Sequence, residues 1–114
     1  MIESLEIDES GYPSDNTILF IKCLNFDSHE EAKRFMRNDF VRLARELPYA
    51  TVSSEKLDDD LDGKQMEIVF TTGGWSGCED FIGAVLGNPI LRILFYYQWN
   101  RGGRYVFRVP LRET

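Results

Sequence analysis

Ten residues, T-T-G-G-W-S-G-C-E-D at positions 71–80, carry the side chains best suited to chemistry. Glycines ahead of a helix are typical of a phosphate cradle, and a serine between glycines is typical of a hydrolase nucleophile. A phosphate cradle is disfavoured, because Glu79 and Asp80 place carboxylates at the positive end of the helix and repel an anion. The nucleophile pattern G-x-S-x-G also fails, because Cys78 occupies the position of its final glycine.

The sequence also offers few side chains that could act as a general base for Ser76 or Cys78. His29 is the only histidine in the chain, and it belongs to the first turn of another predicted helix. Nucleophile and base must lie within hydrogen-bond reach, and the acidic neighbours of Cys78 oppose ionisation of its thiol. We therefore predict a protein that is not an enzyme, with no catalytic residue and no cofactor.

The glycine-rich stretch instead predicts a structural turn. Ser76 and Glu79 have the spacing of a capping box, in which the serine oxygen accepts a backbone N–H at the start of a helix. Glycines let the backbone turn sharply before that helix, and Trp75 covers the connection between the preceding strand and the helix. The residues assigned to this turn are Gly73, Gly74, Ser76, Gly77 and Glu79.

The acidic run D-D-D-L-D-G at positions 58–63 has to be weighed as a cation site. Asp58, Asp60, Asp62 and Gly63 match the opening positions of a calcium-binding loop. Position twelve of that loop requires a bidentate glutamate, and it falls on Val69 inside an apolar strand. We therefore predict no metal site, and an acidic β-hairpin in which Asp62 and Gly63 supply the positive φ angle.

Composition places the chain among globular domains. Its 114 residues are 43% hydrophobic and 28% charged, and no apolar run is long enough to indicate a membrane span. Residues 1–16 are acidic and lack the basic start of a secretion signal, which favours a cytoplasmic protein. We predict an acidic lead-in at residues 1–16, with at most a short edge strand, and a single α+β domain at residues 17–114.

The net charge of −6 argues against non-specific nucleic-acid binding, which needs a basic face. Basic residues are nevertheless clustered on one side of a predicted helix and in the last quarter of the chain. The helical cluster consists of Lys33, Arg34, Arg37, Arg42 and Arg45. This cluster is either a solvated helix surface or a local site for nucleic acid.

Hydrophobic patterning predicts the elements of the amino-terminal half. The nearly continuous apolar run at residues 17–26 is typical of a central strand. Ser28 and Glu31 form a capping box that begins a helix, and Pro48 ends it. The apolar side of that helix consists of Ala32, Met36, Phe40, Leu43 and Leu47.

The remaining pattern predicts an edge strand at residues 49–57, a half-buried strand at 64–72, a helix after Ser76, and a hairpin of strands at 90–99 and 104–109. The resulting order, βαββαββ, predicts an α+β two-layer sandwich. It is a ferredoxin-like split β-α-β unit with an extra C-terminal strand, and its helices lie on one face of a mainly antiparallel sheet.

Aromatic residues and arginines are concentrated in the predicted C-terminal hairpin. They form either an aromatic core with solvated arginines or a surface that stacks bases or anchors a protein partner. An RNA-recognition fingerprint is not met, because Gly103, Arg104 and Arg108 occupy positions that require other side chains. The candidate binding residues are Trp75, Tyr96, Trp99, Arg101, Arg104, Tyr105 and Arg108.

The motifs G-G-W-S-G-C-E at residues 73–79 and R-G-G-R-Y-V-F at 101–107 carry a family resemblance. The last third of the chain resembles small uncharacterised proteins of bacteriophages and bacterial mobile elements, which share G-G-W-S-G-x-E, an aromatic strand and an R-G-G-x-Y-x-F ending. Arg104 stands where that pattern has a histidine. The resemblance implies a phage or prophage setting and an accessory role against host machinery, and it implies no catalytic residue.

Taken together, these features predict a small non-enzymatic protein-binding module that acts through the C-terminal hairpin and the Gly-Trp turn. Its partner is an unidentified protein or a second copy of the chain, with no membrane involved. The alternative is a nucleic-acid-binding protein that uses the basic helix face and the hairpin arginines.

Overall fold

The computed structural model describes residues 6–10, 12–59, 63–101 and 103–111. The helical segments are α1 (Asp15–Lys22), α2 (His29–Arg34), a π-helical segment (Phe35–Phe40), α3 (Val41–Ala44), α4 (Ser76–Leu86) and α5 (Pro89–Phe95). The strands are β1 (Thr51–Asp59), β2 (Gly63–Thr71), β3 (Tyr96–Asn100) and β4 (Arg104–Pro110). Because α2, the π-helical segment and α3 follow one another without a break, residues 29–44 are called the long helix.

The four strands found in the described residues form one sheet in the order β1-β2-β4-β3, with every neighbouring pair antiparallel. The α+β class and the antiparallel sheet are therefore confirmed, and β1 is an edge strand as predicted. The ferredoxin-like order is not what the described residues form, because the predicted first strand is helical.

The prediction of a central strand at residues 17–26 is wrong: most of this run belongs to α1. Ser14 caps the helix, since its Oγ accepts the N–H of Thr17 at 3.1 Å. Thr17 and Ile21, one helical turn apart, are the buried residues of α1, whereas Leu19 is 60% exposed. An apolar run does not by itself distinguish a buried strand from a helix; here the N-cap settles the conformation.

The long helix was predicted at the right place, although it ends at Ala44 and not at the predicted Pro48. Ser28 Oγ accepts the N–H of Glu31 at 3.2 Å, so the serine half of the predicted capping box is present. All five residues predicted for the apolar side are buried. Phe40 lies at the centre of the core, with its ring 5.2–5.9 Å from three other phenylalanine rings: Phe70, Phe81 and Phe107.

The C-terminal hairpin is shorter than predicted, because residues 90–95 are helical. Asn88 caps α5 by accepting the N–H groups of Ile90 and Leu91, and Pro89 occupies the first turn. The Asn88 side chain also donates to the carbonyl oxygens of Ile21 and Leu24, at 2.9 and 3.0 Å. This fully buried asparagine overrides the strand preference of the residues that follow it.

The helices cover one face of the sheet. Ile68 and Phe70 on β2, and Phe107 and Val109 on β4, belong to the same core cluster as the helical residues. Residues between them, such as Glu67, point to the opposite face because side chains alternate along a strand. Within the predicted lead-in, Ile7 and Pro13 form an isolated antiparallel bridge, while residues 1–5 and 11 lie outside the described part.

Candidate functional site

The Gly-Trp turn, residues 72–79, joins β2 to α4 and depends on glycine for its geometry. Gly73 and Gly74 have φ angles of 64° and 78°, a region that favours glycine. A Cβ on Gly73 would lie 2.7 Å from the carbonyl oxygen of Tyr49, a residue whose own φ is 68°. Two left-handed segments are therefore in contact, and a larger residue at Gly73 would push them apart.

Ser76 does not cap α4, contrary to the predicted capping box. The N-cap residue is Trp75, with an extended backbone and no side-chain cap, so Ser76 is already the first residue of the helix. Its hydroxyl instead forms a hydrogen bond of 2.6 Å with the hydroxyl of Tyr12. The serine oxygen is one position too late to reach the free N–H groups of the first turn as an N-cap does.

Trp75 lies between two tyrosine rings. The ring centroids of Tyr12 and Tyr49 are 5.0 and 5.7 Å from that of Trp75, distances typical of aromatic pairs. The indole folds over Gly77, where an added Cβ would overlap the indole ring. Trp75 is thus partly buried, as expected of a residue that covers the junction, whereas Tyr49 is 74% exposed.

Glu79 connects the Gly-Trp turn to the C-terminal hairpin. Its carboxylate accepts hydrogen bonds from Thr72 Oγ1 at 3.2 Å and from the Tyr105 hydroxyl at 3.3 Å. Thr72 in turn donates its N–H to the carbonyl oxygen of Gly103 at 3.0 Å. These four residues, called the turn junction below, bring the glycine-rich segment 73–79 next to the hairpin segment 101–107.

The turn junction also explains one glycine of the hairpin. Gly103 has a φ angle of 75°, and a Cβ there would overlap Thr72 Oγ1. The pKa of Tyr105 is raised, first by partial burial and then by the neighbouring Glu79 carboxylate. The Tyr105 phenol therefore remains a hydrogen-bond donor to Glu79 at neutral pH.

The two candidate nucleophiles have other contacts. The buried Cys78 thiol donates to the carbonyl oxygen of Pro48 at 3.2 Å, and burial followed by the charge of Glu79 raises its pKa to about 11. Ser76 is bonded to Tyr12. His29 is exposed and lines a separate groove with residues of α5, among them Ile93. In the part of the chain that the structure describes, no hydrogen bond joins His29 to either residue.

The predicted binding residues of the hairpin fall into two groups. Trp99 is 54% exposed and lies opposite Tyr105 in the β3–β4 ladder, next to the turn junction. Arg101 is exposed in the hairpin turn, and Arg104 is partly buried at the start of β4.

Tyr96 and Arg108 lie towards the other end of the hairpin. The ring centroid of Tyr96 is 5.8 Å from that of Phe107, on the core side. The Arg108 guanidinium lies 3.9 Å from the ring centroid of Tyr97 and forms a salt bridge of 3.2 Å with Glu67. The structure therefore does not place all seven candidates on one surface.

Sequence reasoning missed Tyr12, Tyr49, Thr72 and Tyr97. Tyr12 precedes Pro13 and Tyr49 follows Pro48, and an aromatic residue beside a proline in a loop is the one sequence signal that could have indicated them. Thr72 belongs to the quoted motif, but only the tertiary contact with Gly103 reveals its role.

The basic side of the long helix is partly neutralised. Lys33 is only 3% exposed and forms a salt bridge of 3.0 Å with Glu30, which lowers the pKa of that carboxyl. Arg42 forms a salt bridge of 3.3 Å with Asp39. Arg34 and Arg45 are exposed. The stripe is therefore not a continuous cationic surface.

Within residues 6–10, 12–59, 63–101 and 103–111, no group of three or more His, Cys, Asp or Glu side chains is placed to hold a metal ion. Asp60 and Asp62 of the predicted hairpin loop lie outside those residues, whereas Gly63 has the positive φ angle, 77°, that the hairpin requires. None of the helices in the described ranges has the length and apolar character needed to cross a bilayer.

Comparison with known proteins gave no match: neither family models, nor curated proteins, nor solved structures are detectably similar to this chain.

Proposed function

We propose that this protein is a small non-enzymatic binding module whose partner is another protein. The proposed contact surface, called the aromatic end, consists of Tyr12, Tyr49, Trp75, Trp99 and Tyr105. The observation that carries the proposal is the turn junction, in which Glu79 and Thr72 hold the Gly-Trp turn against the hairpin turn. Tyr12 and Tyr49 contact Trp75 in the Gly-Trp turn, and Trp99 lies opposite Tyr105 in the hairpin, so the junction joins aromatic side chains from four separate parts of the chain.

The chemistry of the aromatic end suits protein recognition. Tyrosine and tryptophan are enriched among the residues that contribute most to protein–protein binding, because each buries a large rigid surface and retains a polar group. Tyr49 is 74% and Trp99 54% exposed, so this apolar area is available to a partner. The glycine-dependent turns hold the rings in place before binding, which reduces the entropy lost on association.

A phage or prophage accessory role and a cytoplasmic location remain part of the proposal. The first is supported by the motifs at residues 73–79 and 101–107. The absence of a catalytic role is supported by Cys78, whose buried thiol has a raised pKa and is bonded to a carbonyl oxygen.

The test of protein binding is affinity capture from a host lysate with matched variants. Wild-type chain is compared with a Tyr49→Ala/Trp99→Ala double variant and with Phe20→Ala, which removes a ring of 45% exposure on α1 that does not belong to the aromatic end. We expect a partner that is retained by the wild type and by Phe20→Ala and is lost from the double variant, since removal of a central aromatic residue typically costs about 2 kcal/mol or more.

Two results would contradict the proposal: a monomeric chain that captures nothing above background, or a partner retained equally by the double variant. The partner bound by the same surface can also be a second copy of the chain. Sedimentation would then show a dimer for the wild type and for Phe20→Ala, and a monomer for the double variant.

Nucleic-acid binding is the second candidate and has less support, because Lys33 and Arg42 of the helix stripe are paired with acids. Arg34, Arg45 and Arg101 are exposed, so a salt titration with single-stranded and duplex probes is the deciding measurement. No binding at low salt eliminates this candidate.

A further inference from the structure

A groove that shares no residue with the aromatic end lies between the loop before the long helix and α5. Its volume is about 400 Å³, and its polar lining includes Asp27 and His29. Its apolar walls consist of Phe26 from the loop and of Pro89, Ile90, Ile93 and Leu94 from α5. Ile93 is 75% exposed and Leu94 36%, so this contiguous apolar surface is open to a ligand.

Both walls of the groove are fixed to the core. The ring centroid of Phe26 lies 5.6 Å from that of Phe35, a buried residue of the long helix. On the other side, the fully buried Asn88 caps α5 and donates to the carbonyl oxygen of Leu24 at 3.0 Å, two residues before Phe26. One side chain therefore ties α5 to the loop that carries Phe26. The groove is formed before a ligand arrives, as small-molecule sites usually are.

The unpaired charge in the groove is negative. Among the described residues, no hydrogen bond or ion pair involves the Asp27 carboxylate. Free N–H groups at the start of a helix attract anions, but here the side-chain oxygens of Ser28 and Asn88 accept several of them. Glu30 and Glu31 also place carboxylates in the first turn of the long helix. The groove therefore favours a cation over an anion.

The size and lining of the groove suit a small molecule with an apolar body and one ammonium group. A volume of about 400 Å³ lies within the range of small-molecule sites, roughly 300–1,000 Å³. A phenyl or branched aliphatic body between Phe26 and Ile93 would remove apolar surface of ligand and protein from water. An ammonium group has donors only and an ionised carboxylate has acceptors only, so the two are matched.

We propose that this groove binds a small organic amine, with its ammonium group at Asp27 and its apolar body between Phe26 and Ile93. The site goes beyond the protein-binding proposal and does not depend on it, because the groove and the aromatic end have no residue in common.

The test is a nitrogen-15 NMR titration of the full chain with probes that separate the head group from the apolar body. The compounds 4-phenylbutylamine, 4-phenylbutan-1-ol and 4-phenylbutyrate share a body, whereas methylamine has the ammonium group alone. We expect saturable shifts at the backbone amides of His29, Ile90 and Leu94 with phenylbutylamine. The alcohol should bind about fivefold more weakly because it forms no ion pair, and the carboxylate more weakly still because Asp27 repels it. Methylamine should give no saturable shift, since it buries almost no apolar surface.

Matched variants identify the groups that bind the amine. Asp27→Asn removes the charge at nearly the same size and should make the amine and the alcohol bind equally. Asp80→Asn is the control, because Asp80 is an exposed aspartate of α4 outside the groove, and it should leave the preference intact. Ile93→Ala shortens an exposed wall and should weaken the amine and the alcohol by a similar factor. All three positions are exposed, so the variants should fold.

The inference would be overturned by the absence of a saturable shift with phenylbutylamine, by equal binding of the amine and the alcohol to the wild type, or by an unchanged preference in Asp27→Asn. Shifts centred on Trp75 and Trp99 would place the amine at the aromatic end and would also overturn it. Groove shifts that follow protein concentration without any probe would assign the groove to a second copy of the chain, with the same consequence. Protein capture through Tyr49 and Trp99 is a separate measurement, so the two proposals can fail independently.

Discussion

Cys78 and Glu79 are neighbours in the first turn of α4 with opposite roles. The Cys78 thiol is buried and donates to the carbonyl oxygen of Pro48, whereas the Glu79 side chain accepts from Thr72 and Tyr105. A helix places consecutive side chains about 100° apart, so one faces the core and the other the hairpin. Burial near a carboxylate stabilises the protonated thiol, which makes Cys78 structural.

The raised pKa of Cys78 predicts a loss of stability in alkaline solution. Folding raises the thiol pKa from 9.0 to about 11, so its contribution is complete below pH 9 and is lost as the pH rises towards 11. The expected loss is roughly 2–3 kcal/mol of unfolding free energy. It is measured by urea denaturation at several pH values, with Cys78→Ala for comparison.

Cys78→Ala should lower stability at every pH but decline less steeply between pH 9 and 11. Cys23→Ala is the control, because Cys23 is exposed and its removal should leave the alkaline slope unchanged. Identical slopes for the wild type and Cys78→Ala would refute a buried thiol with a raised pKa.

At the scale of elements, capping residues decide where helices form. Ser14 begins α1 and Asn88 begins α5, and both helices occupy runs rich in strand-forming residues. Asn88 also donates to the carbonyl oxygens of Ile21 and Leu24. One side chain therefore begins α5 and links it to the C-terminal end of α1. The Leu24 carbonyl lies beyond the end of α1, where helix geometry supplies no internal donor, whereas the Ile21 carbonyl also accepts the N–H of Leu24 at 3.4 Å.

Asn88→Ala is therefore expected to destabilise the fold by about 3 kcal/mol, since it removes the cap of α5 and the amide donor to the carbonyl oxygens of Ile21 and Leu24. Asn88→Asp keeps the acceptor for the N–H groups of α5 and loses only the donor, so it should retain part of the capping contribution but leave a buried charge. Thermal and urea unfolding measure both variants. Asn25→Ala, at an exposed position, is the control and should change stability by less than about 0.5 kcal/mol; a comparably small effect at Asn88 would contradict its role.

At the scale of the whole molecule, the strand order decides which distant residues meet. β4 returns between β2 and β3, so the turn after β2 lies beside the turn before β4. Thr72 and Gly103 are thereby hydrogen-bonded, and Glu79 reaches Tyr105 across 26 positions of sequence. The turn junction thus links the α4 region to the C-terminal hairpin.

A double-mutant cycle measures this link. Glu79→Ala and Tyr105→Phe should show a coupling of about 1 kcal/mol in unfolding free energy, because each removes the same hydrogen bond to a charged group. Tyr97→Phe replaces Tyr105→Phe in the control cycle, since Tyr97 is an exposed tyrosine that contacts Arg108. Additivity in the Glu79–Tyr105 cycle would show that the hydrogen bond between these two side chains contributes nothing to stability.

The sequence by itself determined the features that depend on local periodicity and turn chemistry. The buried side of the long helix, its Ser28 cap, the alternation of β2, the edge position of β1 and the positive φ of Gly63 were all readable from neighbouring residues. Such features need no knowledge of distant contacts, because the periods of helix and strand fix which side chains share a face.

Only the tertiary structure decided the conformations at residues 17–26 and 90–95, and the roles of Ser76 and Glu79. A short apolar run satisfies a buried strand and a buried helix equally well, and its final state depends on what packs against it. For the same reason, the positions of Tyr12, Tyr49 and Gln65 depend on contacts with residues far along the chain. Burial and long-range hydrogen bonding are properties of the assembled fold, and they cannot be derived from the spacing of residues.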